Sequence, residues 1–195
     1  MNRLAAIAAL LLLVTTVQAE AAKSIYTKID LKKCQQIKKP DGQIFEGAWR
    51  CAGYAGYDVF ISAADSREMA AFGQSDKNNC AGTKTFNGFN TTGSTIEWRM
   101  MGAKPIAAIQ RWTVSNDAAD SSKHVTWLVV NKLVGGTSCQ IHYVAGSFPK
   151  ANEAARKAAD QKAEGFNCEK DKPTYDSAIG PPGINLEACS APAKQ

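Results

Sequence analysis

The chain has no close cysteine pairs, almost no histidine and, beyond its first twenty residues, no long apolar run. Each lack removes a class of function. No two of its six cysteines lie nearer than seventeen positions. The Cys-x-x-Cys spacing of a zinc site or a thioredoxin-like redox pair is therefore missing. The two histidines, His124 and His142, stand eighteen positions apart, which matches no metal-binding spacing. Gly53 and Gly56 are not followed by a helix that opens with Lys-Ser/Thr, so there is no phosphate-cradling loop. A formal net charge of +5 over 195 residues is modest and bears on solubility, not on nucleic acid, which calls for a denser basic patch. Nothing after the first twenty residues approaches the ~20 apolar residues of a membrane span, so no transmembrane segment is expected.

The first nineteen residues read as a secretory signal peptide. Arg3 forms a short positive start, Leu4 to Val14 an apolar stretch, and Val17-Gln18-Ala19 a small-residue cleavage site, with alternatives after Ala21 or Ala22. The apolar stretch is too short for an anchor. The first cysteine is Cys34, so no lipid-attached cysteine follows the cut. The chain is expected to be periplasmic or secreted. Residues 20–195 read as one disulfide-stabilised domain with a Pro/Gly-rich extended tail over 169–195. Loss of Arg3 lowers the net charge from +5 to +4.

Cys34, Cys51, Cys80, Cys139, Cys168 and Cys189 are an even set in an exported chain and read as three disulfides, connectivity open. Cys34 and Cys51 flank a turn at Pro40-Asp41-Gly42. Cys139 begins a strand, and Cys168 follows a helix that returns toward it. Closing that loop is worth roughly 3–4 kcal/mol in the chain-entropy model. Cys80 with Cys189 remains by elimination.

Most of the chain reads as strands. Ile96, Trp98 and Met100 alternate with Thr95, Glu97 and Arg99. Residues 106–114 read as the partner strand, connected through 102–105. Further strands are expected over 43–51, 57–63 and 67–72. Val125–Val134 and Thr137–Ala145 flank Gly135-Gly136, the signature of a hairpin on a type I′ turn. Uninterrupted pairing from that turn puts Leu128 opposite Tyr143, Val130 opposite Ile141 and Lys132 opposite Cys139. That face is the drier and is assigned to the core. The opposite face carries Trp127, Asn131, Gln140 and His142. Alanines at 154, 155, 158, 159 and 163 mark one helix over 152–164, with Asn152 as N-cap and Gly165 at its end. Residues 78–93 and the tail after Cys168 read as loops.

The run Cys139-Gln-Ile-His-Tyr-Val-Ala, the segment from Asn152 to Asp160, Phe166-Asn-Cys168, and the segment from Arg50 to Tyr57 together resemble a group of small secreted, disulfide-containing bacterial proteins of proteobacterial type whose activity is uncharacterised. The resemblance is loose but covers much of the chain. It implies export, the Cys139–Cys168 pair and the strand-then-helix order, and it assigns no functional residue.

Catalytic motifs are absent. Cys139 and His142, three apart on a strand, point to opposite faces. His124 with Asp117, Asp120, Ser121 and Ser122 forms a turn-like polar cluster more than a triad. Asp65, Glu68, Glu97 and Glu46 are carboxylates without informative spacing. Asn90-Thr91-Thr92 matches a glycosylation acceptor by chance. Trp49, Trp98, Trp112 and Trp127 fall in strands and read as core. Lys23, Lys28, Lys32, Lys33, Lys38 and Lys39 read as a solvated N-terminal face.

The expected fold is α+β: a mostly antiparallel sheet, single-layered or sandwich-like, with one C-terminal helix packed on it. The expected function is a non-catalytic exported binding or interaction module of the cell envelope. It needs no cofactor, its partner is an envelope protein or a glycan, and its candidate ligand face is Trp127, Asn131, Gln140 and His142. An inhibitor of a secreted hydrolase such as lysozyme, and a carboxylate-dependent glycan or cell-wall hydrolase, stand as alternatives.

Overall fold

Alternating apolar and polar positions build most of the molecule as strands. A computed structural model describes them over residues 22–37, 47–117 and 122–189. In chain order they are β1 (Lys23–Lys28), β2 (Gln35–Gln36), β3 (Gly47–Tyr54), β4 (Tyr57–Ala64), β5 (Arg67–Gly73), β6 (Asn90–Met101), β7 (Lys104–Ser115), β8 (His124–Val134) and β9 (Thr137–Ala145), then the helix α1 (Ala151–Lys162) and β10 (Thr174–Asp176). The fold is α+β, as expected. The signal peptide with its cleavage sites after Ala19 and Ala21, Lys38, Lys39, the Pro40-Asp41-Gly42 turn, Glu46, Asp120 and Ser121 lie outside the described residues. Among the described residues no helix is long and apolar enough to cross a membrane.

Hydrogen bonding runs continuously through β10-β9-β8-β7-β6-β5-β4-β3-β2, with β1 also on β6. β5 and β6 nevertheless meet at one residue pair only, Arg67 with Asn90. The path therefore folds at that point into a large sheet, β6–β9 with β1 and β10, and a small one, β2–β5. Their inner faces pack together: Val59, Ile61 and Phe72 from the small sheet meet Trp98, Trp112 and Tyr143 from the large one. Phe72 sits edge-on to Trp98 with ring centroids 5.8 Å apart. The sheet is thus a sandwich.

The back of the large sheet is covered as well. Ala107, Ile109, Leu128, Val130, Ile141 and Val144 form a second core with Ala151, Ala155 and Ala159 of α1. Alanine permits this close approach of helix to sheet but buries little area per residue. Glu97 and Arg99, the polar half of the β6 alternation, lie under α1 instead of facing water. Arg156 Nε donates to Glu97 Oε1 at 2.6 Å, and Arg99 grips Asp160 through Nε and Nη2 at 2.9 and 2.6 Å. Ser24 Oγ donates to Glu97 and accepts from Arg99 Nη1. Partnering on this scale is what lets two charges sit buried under a helix.

The helix starts at Ala151, directly after Lys150 in left-handed conformation (φ 54°). Asn152 is not its cap, because its side-chain oxygen accepts from Arg111 Nη2 at 3.0 Å. The helix ends at Lys162, and Gly165 lies in the turn beyond.

The hairpin turn is as read: Gly135 and Gly136 both take positive φ, 56° and 77°. Asn131–Gln140 and Lys132–Cys139 pair as expected, and then a bulge intervenes. Beyond it Val130 faces His142, Val129 faces Tyr143, and Leu128 faces Val144. The expected pairs Leu128–Tyr143 and Val130–Ile141 are one residue out, because a bulge inserts an extra residue on one strand.

The disulfides are Cys34–Cys51, Cys139–Cys168 and Cys80–Cys189. Two segments read as loops hold some regular structure. A 3₁₀ turn spans Cys80–Thr83 and β6 already begins at Asn90, while the tail forms the three-residue β10, parallel to β9.

The free edge of β5 is sealed by side-chain and backbone bonds. Phe72 N–H donates to Ser138 Oγ at 2.9 Å, and Gln74 N–H to the Gly136 carbonyl at 2.7 Å. Asn79 bridges the seam: its Nδ2 donates to the Phe72 carbonyl (3.1 Å), and its Oδ1 accepts from Ser138 N–H (3.1 Å) and Oγ (2.9 Å). Gly73 permits the approach, since a Cβ there would lie 2.3 Å from the Gly136 carbonyl oxygen.

Candidate functional site: a pocket on the small sheet

The outward face of the small sheet is not bare. Phe60, on β4, points away from the sandwich and packs with Ala71 of β5 and Ala81 of the 3₁₀ turn, with Ile37 against them. Ser62 and Met69, paired across β4 and β5, continue that face. Above it rise the segment 78–85 and the end of the tail, 185–189, tied together by Cys80–Cys189. The space between holds about 660 Å³. That is within the range of small-molecule sites, roughly 300–1,000 Å³.

The pocket has an apolar floor of Phe60, Ala71 and Ala48, and a rim of amides and hydroxyls including Asn185 and Thr85. Among the described residues, Asp76 and Lys84 are the charged side chains lining it. Lys84 fixes the wall: its Nζ donates to the Asn185 carbonyl at 3.3 Å and to the Glu187 carbonyl. Burial lowers its pKa, and the nearby Glu187 carboxylate partly opposes that. Asn79, at the back, is buried and committed to the β5 seam. The walls are thus held by a disulfide, a lysine fork and a fully bonded asparagine. Arg50 lies over the Phe60 ring, 6.0 Å from its centroid, and pairs with Asp58 at 2.5 Å.

The structure separates the residues that the sequence groups as a ligand face. Trp127 faces the sandwich interior, where its ring lies 6.3 Å from Phe86. Gln140 shares that interior, accepting from Tyr143 Oη at 2.5 Å, and Asn131 stands opposite it across the hairpin. The bulge turns His142 to the other side, toward α1 and β10. All four are buried, so together they offer no open face. The interior strip is nonetheless polar. Gln110 Oε1, Trp112 Nε1, Asn131 Oδ1 and Gln140 Nε2 are buried without a partner among the described residues. Burial also raises the Tyr143 pKa far above the usual phenol value, keeping it neutral.

His142 sits among Thr174, Asp176 and Lys162. Its Nδ1 lies 2.7 Å from Thr174 Oγ1, and its Nε2 lies 3.2 Å from Asp176 Oδ2. Desolvation, reinforced by the Lys162 charge, lowers its pKa against the opposing pull of Asp176. The ring is therefore neutral at pH 7.

The other polar expectations disperse. Glu68 accepts from Thr92 N–H (2.6 Å) and Oγ1 (2.7 Å) at the β6 bulge. Glu97 lies under α1, and Asp65 holds Arg67 at the tip of the β4–β5 turn. Those three carboxylates thus serve separate places. His124 is exposed, its Nδ1 3.1 Å from the Ser122 carbonyl, while Asp117 pairs with Lys123. Asn90 is buried and bonded at both ends of its amide. Lys23, Lys28, Lys32 and Lys33 are exposed. Among the described residues no cluster of His, Cys, Asp and Glu could hold a metal ion.

Sequence reading missed the pocket because its wall comes from two distant segments. One signal was present: Phe60 lies on the face of β4 opposite to Val59 and Ile61, so a large apolar side chain needs cover on that side as well. Comparison with family models, with curated proteins and with solved structures finds no match.

Proposed function

We propose that the chain is an exported protein of the bacterial cell envelope, periplasmic or secreted, which binds a ligand without transforming it. The supporting observation is the roughly 660 Å³ pocket on the small sheet, with its apolar floor, amide-and-hydroxyl rim and disulfide-tied wall. Three disulfides fit an oxidising compartment. Among the described residues the two charged side chains lining the pocket, Asp76 and Lys84, are opposite in sign, which favours a ligand without a large net charge. An apolar face with a hydroxylated edge suits that lining, and a glycan fragment has both. Rigid walls favour binding because little freedom is lost on association. The hydrolase reading draws no support from Asp65, Glu68 and Glu97, which stand apart.

Calorimetric titration with neutral envelope glycan fragments tests the reading, together with Ser62→Trp, which fills the pocket from its floor. The expected result is saturable binding that the variant loses while its melting temperature holds. Absence of binding across the panel, or binding that survives in the filled variant, would overturn it.

A further inference from the structure

The seam where β9, β10 and α1 meet aligns four polar side chains in order. Lys162 Nζ donates to Thr174 Oγ1 at 2.5 Å, and Thr174 Oγ1 donates to His142 Nδ1 at 2.7 Å. His142 Nε2 donates to Asp176 Oδ2 at 3.2 Å. The carboxylate can only accept, which places the ring proton on Nε2 and leaves Nδ1 free to accept from the threonine. Lys162 Nζ also lies 3.2 Å from Nδ1.

The backbone dictates this order. β10 pairs in parallel with β9, setting Thr174 directly beside His142. Asp176, two residues on, falls on the same face of β10. The β9 bulge turns His142 toward that face, and Lys162 reaches it from the last turn of α1. The histidine is buried, its side chain 3% exposed, while Asp176 is 43% exposed and Thr174 is open to solvent. The hydroxyl is reachable and its base is shielded.

We propose that this seam is an acyl-transfer site, with Thr174 as nucleophile and His142 as general base, acting on small activated esters or thioesters. Thr174 Oγ1 attacks the acyl carbon and forms an ester bond as the bond to the leaving oxygen or sulfur breaks. The hydroxyl proton passes to His142 Nδ1 and from there to the leaving group. Asp176 is a positioning residue that holds the ring and stabilises the transient imidazolium. The Lys162 ammonium, which donates to Thr174 Oγ1, favours removal of the hydroxyl proton by stabilising the negative charge that this oxygen carries as it is deprotonated. Water then attacks the acyl-threonine with His142 again as base, releasing the carboxylic acid and restoring the hydroxyl. This chemistry is independent of the pocket on the small sheet.

The test uses the full oxidised protein with p-nitrophenyl acetate as probe. Phenolate release is followed together with peptide mapping of the acetyl group. The expected result is an acetyl ester on Thr174 that alkaline hydroxylamine removes. It is lost in Thr174→Val, an exposed near-isostere, and kept in Thr174→Ser. His142→Gln should slow acylation by about 100-fold or more, the usual contribution of a general base. The rate in unmodified protein should fall as pH drops through the histidine's pKa, and Asp176→Asn should alter that pH profile. Acetyl groups found only as hydroxylamine-stable lysine amides, or equal phenolate release from Thr174→Val, would overturn the proposal.

Discussion

Replacing Asn79 by leucine removes the bridge that seals β5 to β9. The wild-type side chain satisfies the Phe72 carbonyl and the Ser138 N–H, both in a buried seam, and also the Ser138 hydroxyl and the Ser75 carbonyl. The last two have alternatives: the hydroxyl still accepts from Phe72 N–H, and the Ser75 carbonyl lies nearer the surface. The first two are stranded. Each stranded buried group costs about 1–3 kcal/mol, so the variant should lose about 2–6 kcal/mol, a large share of the roughly 5–15 kcal/mol of a typical domain. Urea unfolding, followed by tryptophan fluorescence with disulfides intact, reads this as a drop in midpoint at unchanged slope. Ser138→Ala, with Asn79→Leu, completes a double-mutant cycle, and contact between the two predicts non-additivity. A loss below about 1 kcal/mol for Asn79→Leu would refute the reasoning, because it would mean that water already serves those groups.

Three further predictions follow from other regions. Converting Cys80 and Cys189 to serine opens a loop whose ends are 109 residues apart, worth about 4–5 kcal/mol in the chain-entropy model; thermal melting under oxidising conditions should show that loss, and ligand binding at the pocket should weaken with it. His142 has a folded pKa below its ordinary value, so its contribution to stability is complete above the unfolded value of about 6.5 and is lost as pH falls through the lowered folded value. Urea midpoints should decline between about pH 7 and pH 5 with a slope that His142→Gln reduces, and an unchanged slope in the variant would assign the decline to other groups. Asn131→Leu removes an unpartnered buried oxygen and two long amide contacts of 3.4 and 3.5 Å, so it should be neutral or stabilising by about 1 kcal/mol. A loss beyond about 2 kcal/mol would show that the interior strip is bonded to ordered water.

Local pattern carried much of the fold. The β6 alternation, the Gly135-Gly136 turn and the alanine stripe of α1 each act over a few residues, and each is where the sequence puts it. What lay beyond reach were features set by distant partners. The bulge at Ile141 leaves no mark in a strand that is buried on both faces, yet it moves His142 from one face to the other and dissolves the face drawn through Trp127, Asn131 and Gln140. Glu97 and Arg99 look like solvent-facing residues until α1 supplies Arg156 and Asp160. Asn152 has the chemistry of a cap, but Arg111 claims its oxygen. The pocket needed Cys80 and Cys189 together, and elimination could name that pair without placing it over Phe60. The relay at Thr174 required β10, a strand too short to announce itself between Pro173 and the Gly180-Pro181-Pro182 run.

The nesting of the disulfides bears on how the chain acquires them. Cys34 and Cys51 are neighbours in cysteine order, as are Cys139 and Cys168, whereas Cys80 joins the last cysteine, Cys189. In a chain oxidised as it emerges from its N-terminus, the Cys80 thiol waits through the appearance of Cys139 and Cys168, and either offers it a wrong partner. A bond made early with Cys139 must be exchanged before the native set can close, through attack by a thiolate on the mixed disulfide. Wherever such a bond forms first, maturation needs isomerisation as well as oxidation, and the bond that completes the pocket wall cannot close before Cys189 has emerged.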